Sequence, residues 1–375
     1  MKNIIIFITT IVLLVSCTKK ETYTIKNIKG VKTFQNSLIP ADDKLKIEPK
    51  LLFTINGTSE KNVDSTSFFS FASYIDVDSK GNIFILDGNK ASIKKFDNKG
   101  NFLKSFGRQG QGPGEFEWSV AMSMLNDTLY VVNGTTKRIN KYDLDGNYTN
   151  DILSPEGSPD VLQAVGKNNF VGFVNSVEEK DEKLNFTFDL TLFDKKFERL
   201  TTLHKGLINL KNPKVNFLDV LVPYAIGDDR IFVANNSEDL YQVSCFDLQG
   251  ELLYNIQKNY RKTKFTTEEQ DMFTTLNTRA GAGAPPIKVP YKKVINGLYY
   301  DKYDRLWVAS SQERDGKNKD DLIFDIFKDG IFQNTLKFDI AKGNDFYNVD
   351  DLYFFKAGKL FLVNGADATI KVYEY

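Results

Sequence analysis

Gly81-Asn82-Ile83-Phe84-Ile85-Leu86-Asp87, followed shortly by Lys95-Phe96-Asp97-Asn98-Lys99-Gly100-Asn101, is the stretch that decides the fold. It reads as a tight turn, an apolar strand, a polar loop, a second strand and a second tight turn. The Asp and Gly supply turn chemistry, because a short carboxylate can bond nearby backbone amides and Gly tolerates left-handed dihedrals. The run Phe102-Leu103-Lys104-Ser105-Phe106 then resumes an extended pattern, so Lys95–Asn101 joins two strands as a β-hairpin.

Both halves of this stretch recur. The hairpin returns as Lys141-Tyr142-Asp143-Leu144-Asp145-Gly146-Asn147, as Leu192-Phe193-Asp194-Lys195-Lys196-Phe197-Glu198 and as Cys245-Phe246-Asp247-Leu248-Gln249-Gly250-Glu251. A weaker copy is Ile326-Phe327-Lys328-Asp329-Gly330-Ile331. The apolar strand returns around Leu129–Asn133, Phe170–Asn175, Ile231–Asn235, Leu306–Ser310 and Leu360–Asn364, which makes six copies. Naming it strand B makes the hairpin strands C and D, and a short run before it, such as Tyr74–Val77, strand A. Six four-stranded units, roughly 41 to 75 residues apart, imply radial repetition, since one small sheet cannot bury both of its faces but blades stacked around an axis can. The expected fold is all-β: a six-bladed β-propeller of four-stranded antiparallel blades. A β-sandwich with coincidental turns is the competing reading.

The chain ends support the ring. The last unit stops at Ile370-Lys371-Val372-Tyr373-Glu374-Tyr375, which supplies strand C but no strand D. Ahead of the first unit, Lys50-Leu51-Leu52-Phe53-Thr54-Ile55-Asn56 has no hairpin partner of its own. Pairing the two closes the ring and removes two exposed edges. The expectation is that residues near Phe53 pair with residues near Tyr373.

Residues 1–16 read as an export signal. Lys2 precedes an apolar run from Ile4 to Val15, about twelve residues, too short to span a bilayer as a helix. The run ends Leu14-Val15-Ser16-Cys17, which resembles the lipobox of bacterial lipoproteins, and the resemblance implies a lipid on Cys17. Residues 17–43 are then expected as a lipid-anchored tether and lead-in, and residues 44–375 as the propeller. Thr18-Lys19-Lys20-Glu21 carries one acidic residue, whereas surface-export signals tend to be acid-rich. The expected location is therefore the outer membrane, on the periplasmic side.

Composition limits the chemistry. The 375 residues hold 49 Lys+Arg against 49 Asp+Glu, so no basic footprint for nucleic acid exists. One His and two Cys cannot build a His/Cys zinc centre or a disulfide framework. Cys245 sits among strand residues and is expected as a small core hydrophobe. His204, the single imidazole, is expected as a surface residue of an irregular linker after the third unit.

The motifs resemble NHL-repeat propellers. Leu86-Asp87-Gly88-Asn89, Ile93 and Phe96-Asp97 match that family's repeat, as do Val132-Asn133, Lys137-Arg138-Ile139 and Tyr142-Asp143. The Gly-rich linker Phe106-Gly107-Arg108-Gln109-Gly110-Gln111-Gly112-Pro113-Gly114-Glu115-Phe116 fits as well. With its lipobox, the chain resembles the six-bladed propeller lipoproteins common in Bacteroidetes, strongly in units one and two and weakly in units three to five. Related lyases that release amidated peptides hold zinc through several His, which this chain lacks. Gluconolactonase-like propellers use Glu, Asn and Asp around calcium, a set the composition allows.

Several candidate sites follow. Gly107–Gly114 lacks the Gly-Lys-Ser/Thr of a phosphate loop and is expected as an inter-blade linker. Asp76-Val77-Asp78-Ser79-Lys80-Gly81-Asn82 has carboxylates at calcium-loop spacing but no later bidentate Glu, and is expected as a turn. The strand-B ends Asp87, Asn133, Asn175, Asn235, Ser310 and Asn364 should form a ring on one face, either capping turns or making a binding rim. Thr266-Thr267-Glu268-Glu269 is a capping box that opens a helical insertion at about 266–290, with Met272, Phe273 and Arg279 as a candidate lid over the channel. Gln312–Asp321 is expected as a solvated loop. Asp64-Ser65-Thr66 and Asp127-Thr128-Leu129 resemble the O-glycosylation signal of exported Bacteroidetes proteins. The expected function is non-enzymatic binding or scaffolding of a peptide, glycan or protein partner, with no nucleic acid, no catalytic set and no cofactor. The alternative is a calcium-dependent hydrolase or lactonase, which would bring Ca²⁺ as its cofactor.

Overall fold

Four of the five outer hairpin turns are built by an aspartate. Asp97 Oδ1 accepts the backbone amides of Lys99 and Asn101, both at 2.8 Å, and Oδ2 accepts the Asn101 side-chain amide at 2.8 Å. Asp143, Asp194 and Asp247 each accept the amide four residues ahead, at 2.8, 2.9 and 2.8 Å. A left-handed residue follows: Gly100, Gly146 and Gly250 in three turns and Phe197, at φ +62°, in the other. The Phe197 ring is fully buried, and its packing offsets the backbone strain that glycine avoids.

The computed structural model describes residues 21–58, 65–180, 183–211, 220–267, 269–271, 290–313, 322–340 and 352–375. The chain begins with β1 (Tyr23–Ile28), β2 (Val31–Asn36) and β3 (Lys50–Asn56). Blade one is β4 (Ala72–Val77), β5 (Ile83–Asp87), β6 (Ser92–Phe96) and β7 (Phe102–Phe106), and blade two is β8 (Ser119–Leu125), β9 (Thr128–Asn133), β10 (Arg138–Tyr142) and β11 (Tyr148–Leu153). Blade three is β12 (Asp160–Val165), β13 (Asn169–Lys180), β14 (Lys183–Asp194) and β15 (Arg199–His204), with β16 (Leu207–Asn209) added against β14. Blade four is β17 (Tyr224–Ile226), β18 (Ile231–Ala234), β19 (Gln242–Phe246) and β20 (Leu252–Lys258). Blade five is β21 (Ile295–Tyr300), β22 (Arg305–Ser310), β23 (Leu322–Lys328) and β24 (Ile331–Phe338). Blade six is β25 (Leu352–Lys356), β26 (Lys359–Asn364), β27 (Thr369–Glu374) and, from the other end of the chain, β3.

The ring therefore closes as the sequence predicts. Phe53 lies opposite Val372 and Leu51 opposite Tyr373, antiparallel. The six inner strands follow one another around the axis, with β25 returning to β4. Because each blade is a simple meander, inner strands begin, second strands end and outer strands end at one face of the disc. We call it the linker face, since the inter-blade linkers cross it.

Apolar side chains fill the gaps between blades rather than a single central core. Trp307 of blade five packs against Phe324 and Phe338 and reaches Phe355 and Tyr375 of blade six. Aromatic pairs at these offset and edge geometries add to the stabilisation from area burial alone. Outer strands also press on the next blade's turn. A Cβ on Gly146 of blade two would lie 2.5 Å from the Phe106 ring of blade one, so the close approach and the φ of +74° both require glycine.

The lead-in does more than tether. Tyr23–Asn36 forms a hairpin whose β2 runs parallel to β20, giving blade four two extra outer strands. The buried Asn36 side chain donates to Gln257 O and Gly330 O, both at 3.0 Å, and accepts the Phe332 amide at 2.8 Å. Its Phe34 covers Gly330, where a Cβ would fall 2.7 Å from the ring. Ala41 N then bonds Phe332 O at 3.0 Å and Asn334 Nδ2 bonds Leu45 O at 3.2 Å before the chain enters β3. Residues 23–56 thus belt blades four, five and six.

Among the described residues no helix is long and apolar enough to cross a membrane. Cys17 lies outside the described residues.

Candidate functional site

The six strand-B ends do fall at the linker face, and most are occupied locally. Asp87 is wholly buried; its carboxylate accepts the Ser70 amide at 3.0 Å, the Ser70 hydroxyl at 3.3 Å and the Asn89 amide at 3.2 Å. Asn133 accepts the Thr135 amide at 3.2 Å, and Asn364 accepts the Asp367 amide at 2.9 Å. These are caps in which a short polar side chain bonds backbone ahead of it. Ser310 donates to Asp325 at 3.1 Å, inside a buried network where Asp325 also takes Tyr241 Oη at 2.9 Å, Thr335 Oγ1 at 2.6 Å and Lys258 Nζ at 2.7 Å. Asn235 caps through its backbone, bonding Gln242 and Ser237. Only Asn175 is exposed, and it donates to Asp160 Oδ2 at 3.3 Å.

Asp160 is the most perturbed carboxylate here. Burial pushes it up to about 6, and the Asn175 amide pulls the other way. Beside it the β12 ladder is irregular between Asp160 and Gln163, and Val161 sits at φ +51°, a strained setting for a β-branched residue. Tyr224 Oη donates to the Val161 carbonyl. Burial raises the Tyr74 hydroxyl above its ordinary value, and the Asp160 charge adds to this.

These residues lead into the channel. A cavity of about 420 Å³ runs along the ring axis, with each inner strand contributing: Tyr74, Met122, Gln163, Tyr224, Asn296 and Tyr353 come from blades one to six in turn. Its wall is aromatic and aliphatic with a few amides and hydroxyls and one cation, Lys356, the mixture typical of small-molecule pockets.

Other sequence candidates resolve into structure. The Asp78 carboxylate accepts the Lys80 amide, the Asn82 amide and the Asn82 side chain at 2.8–3.0 Å and is spent on the turn, whereas Asp76 accepts Val77 N at 2.9 Å and Met124 N of blade two at 2.8 Å and pairs with Lys356 of blade six at 3.6 Å, tying inner strands together. Among the described residues no three His, Cys, Asp or Glu side chains gather into a metal-binding group. Gly107–Gly114 is the linker from blade one to blade two, braced by the Arg108–Glu115 pair at 2.5 Å. Cys245 is fully buried, and burial raises its thiol to about 11, far from a reactive thiolate. His204 is not in an irregular linker: it ends β15 opposite Leu190, half-buried, and burial lowers its pKa.

The capping box is real. Thr266 N bonds Glu269 Oε2 at 2.9 Å, and Glu269 N bonds Thr266 Oγ1 at 3.2 Å. Met272, Phe273 and Arg279 lie outside the described residues, as do Asp64 and residues 314–321. Asp127 caps Ser79, bonding its amide at 3.1 Å and its hydroxyl at 2.7 Å. Two features escaped the sequence reading. The β13–β14 hairpin runs five pairs beyond Asn175, from Ser176↔Thr187 to Lys180↔Lys183, and stands above the linker face. The strict alternation Phe186-Thr187-Phe188-Asp189-Leu190 signals that extension. Trp118 beside it is exposed, a fact no pattern in the sequence reveals.

Comparisons with known proteins agree with this geometry. Similar solved structures include a Bacteroides fragilis protein described as exported, 11% identical over 91% of this chain and 98% of that chain, with a TM-score of 0.52. A duf4221 family member from Bacteroides vulgatus is 11% identical over 87% of this chain and 97% of that chain, TM-score 0.48. Virginiamycin B lyase from Staphylococcus aureus is 11% identical over 88% of this chain and 100% of that chain, TM-score 0.42. At such identities only the first similarity bears on the argument, and it bears on the fold alone. No curated protein matches the chain. The DUF5128 family model, described as a 6-bladed beta-propeller, matches residues 55–272, and with β3 to β20 built as that repeat the chain belongs to this family.

Proposed function

We propose that the protein is a lipid-anchored envelope protein whose propeller binds a partner without chemistry of its own. The observation that carries this reading is the axial cavity. All six inner strands line it, yet its wall is tyrosines, phenylalanines, aliphatics and amides with one cation, Lys356, which pairs with the Asp76 carboxylate at 3.6 Å. The thiol and the imidazole are both placed elsewhere, one buried in blade four and one at the outer edge of blade three. The lipobox at Cys17 supports the anchor, and the single acidic residue after it supports the periplasmic side of the outer membrane.

Two measurements test the reading. The purified chain is screened by thermal shift against peptides and oligosaccharides, and any ligand that raises the melting temperature is recovered for mass spectrometry. Recovery unchanged is the expected result; recovery cleaved, or a calorimetric Ca²⁺ signal at micromolar metal, would overturn it in favour of a hydrolase. For the anchor, Cys17→Ser should move the protein from the membrane to the soluble fraction, and protease added to intact cells should leave the wild type uncut.

A further inference from the structure

Blades two and three leave a second cavity of about 540 Å³ at the linker face, away from the channel axis. Trp118 stands on one side of it and is 78% exposed, the most exposed large hydrophobic side chain described. Asp160, Asn175, Thr135, Ser158 and Lys137 also line it. The backbone turns the indole outward: Trp118 sits at φ +45°, and its carbonyl accepts the Gly134 amide at 3.0 Å. Lys137, also at this cavity, takes a φ of +57°, but Ala91 and Ala368 do the same at the equivalent turns of blades one and six, so that geometry belongs to the repeat. The left-handed backbone particular to this cleft is that of Trp118.

We infer that this cleft binds a neutral glycan, with Trp118 as the platform on which a sugar ring stacks. The inference rests on the reading of a binding propeller above and adds to the axial cavity a second site with its own ligand class. A pyranose presents a face of C–H groups and a fringe of hydroxyls that both donate and accept. The indole matches the first, because a flat aromatic ring buries apolar area at little entropy cost. The Asp160 carboxylate, the Asn175 amide and the Thr135 and Ser158 hydroxyls match the second, offering acceptors and donors in a small span. The charges at the cleft balance in number: it carries one Asp160 and one Lys137, and Glu156 is held by Arg199 at 2.9 Å. A charged ligand has no surplus to pair with. A peptide strand would need an open sheet edge, and at this face the cleft offers side chains instead.

The chain contains a convenient reporter. It has two tryptophans, and Trp307 is 1% exposed, so acrylamide quenching of the full chain reads Trp118. Maltohexaose, cellohexaose, xylohexaose, mannohexaose and N-acetylchitohexaose are titrated in turn, with a neutral Gly/Ser-rich hexapeptide alongside. The expected result is that at least one sugar lowers the quenching constant several-fold and shifts the emission to shorter wavelength. Calorimetry should then show at least a tenfold loss of affinity for that sugar in Trp118→Gly, and a smaller loss in Asn175→Ala. Glycine suits the φ of Trp118, so the variant should melt no lower than the wild type, which separates lost binding from lost folding. Failure of all five sugars to protect Trp118, or unchanged affinity in Trp118→Gly, would overturn the inference. Protection by the peptide and not by the sugars would overturn the glycan assignment and leave the binding reading standing. A sugar bound through Trp118 and recovered hydrolysed would uphold the glycan assignment and overturn the binding reading.

Discussion

Blades two and five solve the same problem with different parts. Each needs its outer hairpin turn held and covered. In blade two, Asp143 caps the turn from within, and Phe106 of the preceding blade covers Gly146. In blade five the capping position is Lys328, the turn is the two-residue Asp329-Gly330, and both the cap and the cover come from residues 34–36. The partners are about 300 residues away in the chain rather than a few dozen. The outer turns of blades one to four are held by local grammar, and blades four to six are tied together by the returning N-terminal segment. The family model ends at residue 272, close to where this change occurs.

The largest expected effect tests the long-range half. Deleting Lys50–Asn56 removes the outer strand of blade six and leaves β27 with an open edge, so the ring should lose its cooperative thermal transition altogether. A variant that still melts in one sharp step would show that closure is dispensable. Next comes Asn36→Ala, which breaks three buried hydrogen bonds between the belt and blades four and five. A loss of about 2–4 kcal/mol is expected in urea unfolding, and a loss below 1 kcal/mol would reduce the belt to decoration.

Asp160→Asn probes the short-range half and should raise stability. The folded carboxyl sits near 6 against an ordinary 3.8, so the folded state binds its proton more tightly. The penalty for ionising it is absent below about pH 4, grows as pH rises towards 6 and is complete above that. The variant should therefore gain on the order of 2 kcal/mol at pH 7.5 and nothing at pH 4. Equal gains at both would place the cause elsewhere. The smallest effect is Asp143→Ala, about 1 kcal/mol for one lost cap. The Asn147 side-chain and backbone amides hold that carboxyl below its usual range, so the contribution of Asp143 should fade as the group is protonated in acid. A cost equal to that of Asn36→Ala would erase the contrast between the two halves.

The same contrast explains what could be read in advance. The strand-B runs, the Asp-Gly turns and the missing last strand are patterns within a few residues, and each maps onto the structure. The β1–β2 hairpin was opaque because its partners lie in β20 and β24, and because Lys29-Gly30, at φ +52° and +85°, is not one of the usual turn pairs. At the six strand-B ends the pattern leaves turn caps and a binding rim both open. Five cap or bury locally, and only Asn175 reaches a cleft, because Asp160 at the start of β12 and Trp118 just ahead of β8 come up beside it. Periodicity gives a residue's strand and face; it does not reveal that Trp118 is turned out against its own backbone preference.

The hairpin has one more consequence, for how the molecule stands against a membrane. Asn36 lies opposite Lys258, the last residue of the outer strand of blade four, so β2 ends and β1 begins at the linker face. Five residues, Thr18–Thr22, separate Cys17 from Tyr23, and fully extended they reach about 20 Å. A lipid on Cys17 would hold the disc on a short leash at the rim of blade four, entering from the side that carries the Trp118 cleft. The cleft and its cargo would stay within a few nanometres of the bilayer, while the opposite face, with its tight turns, would look away from it.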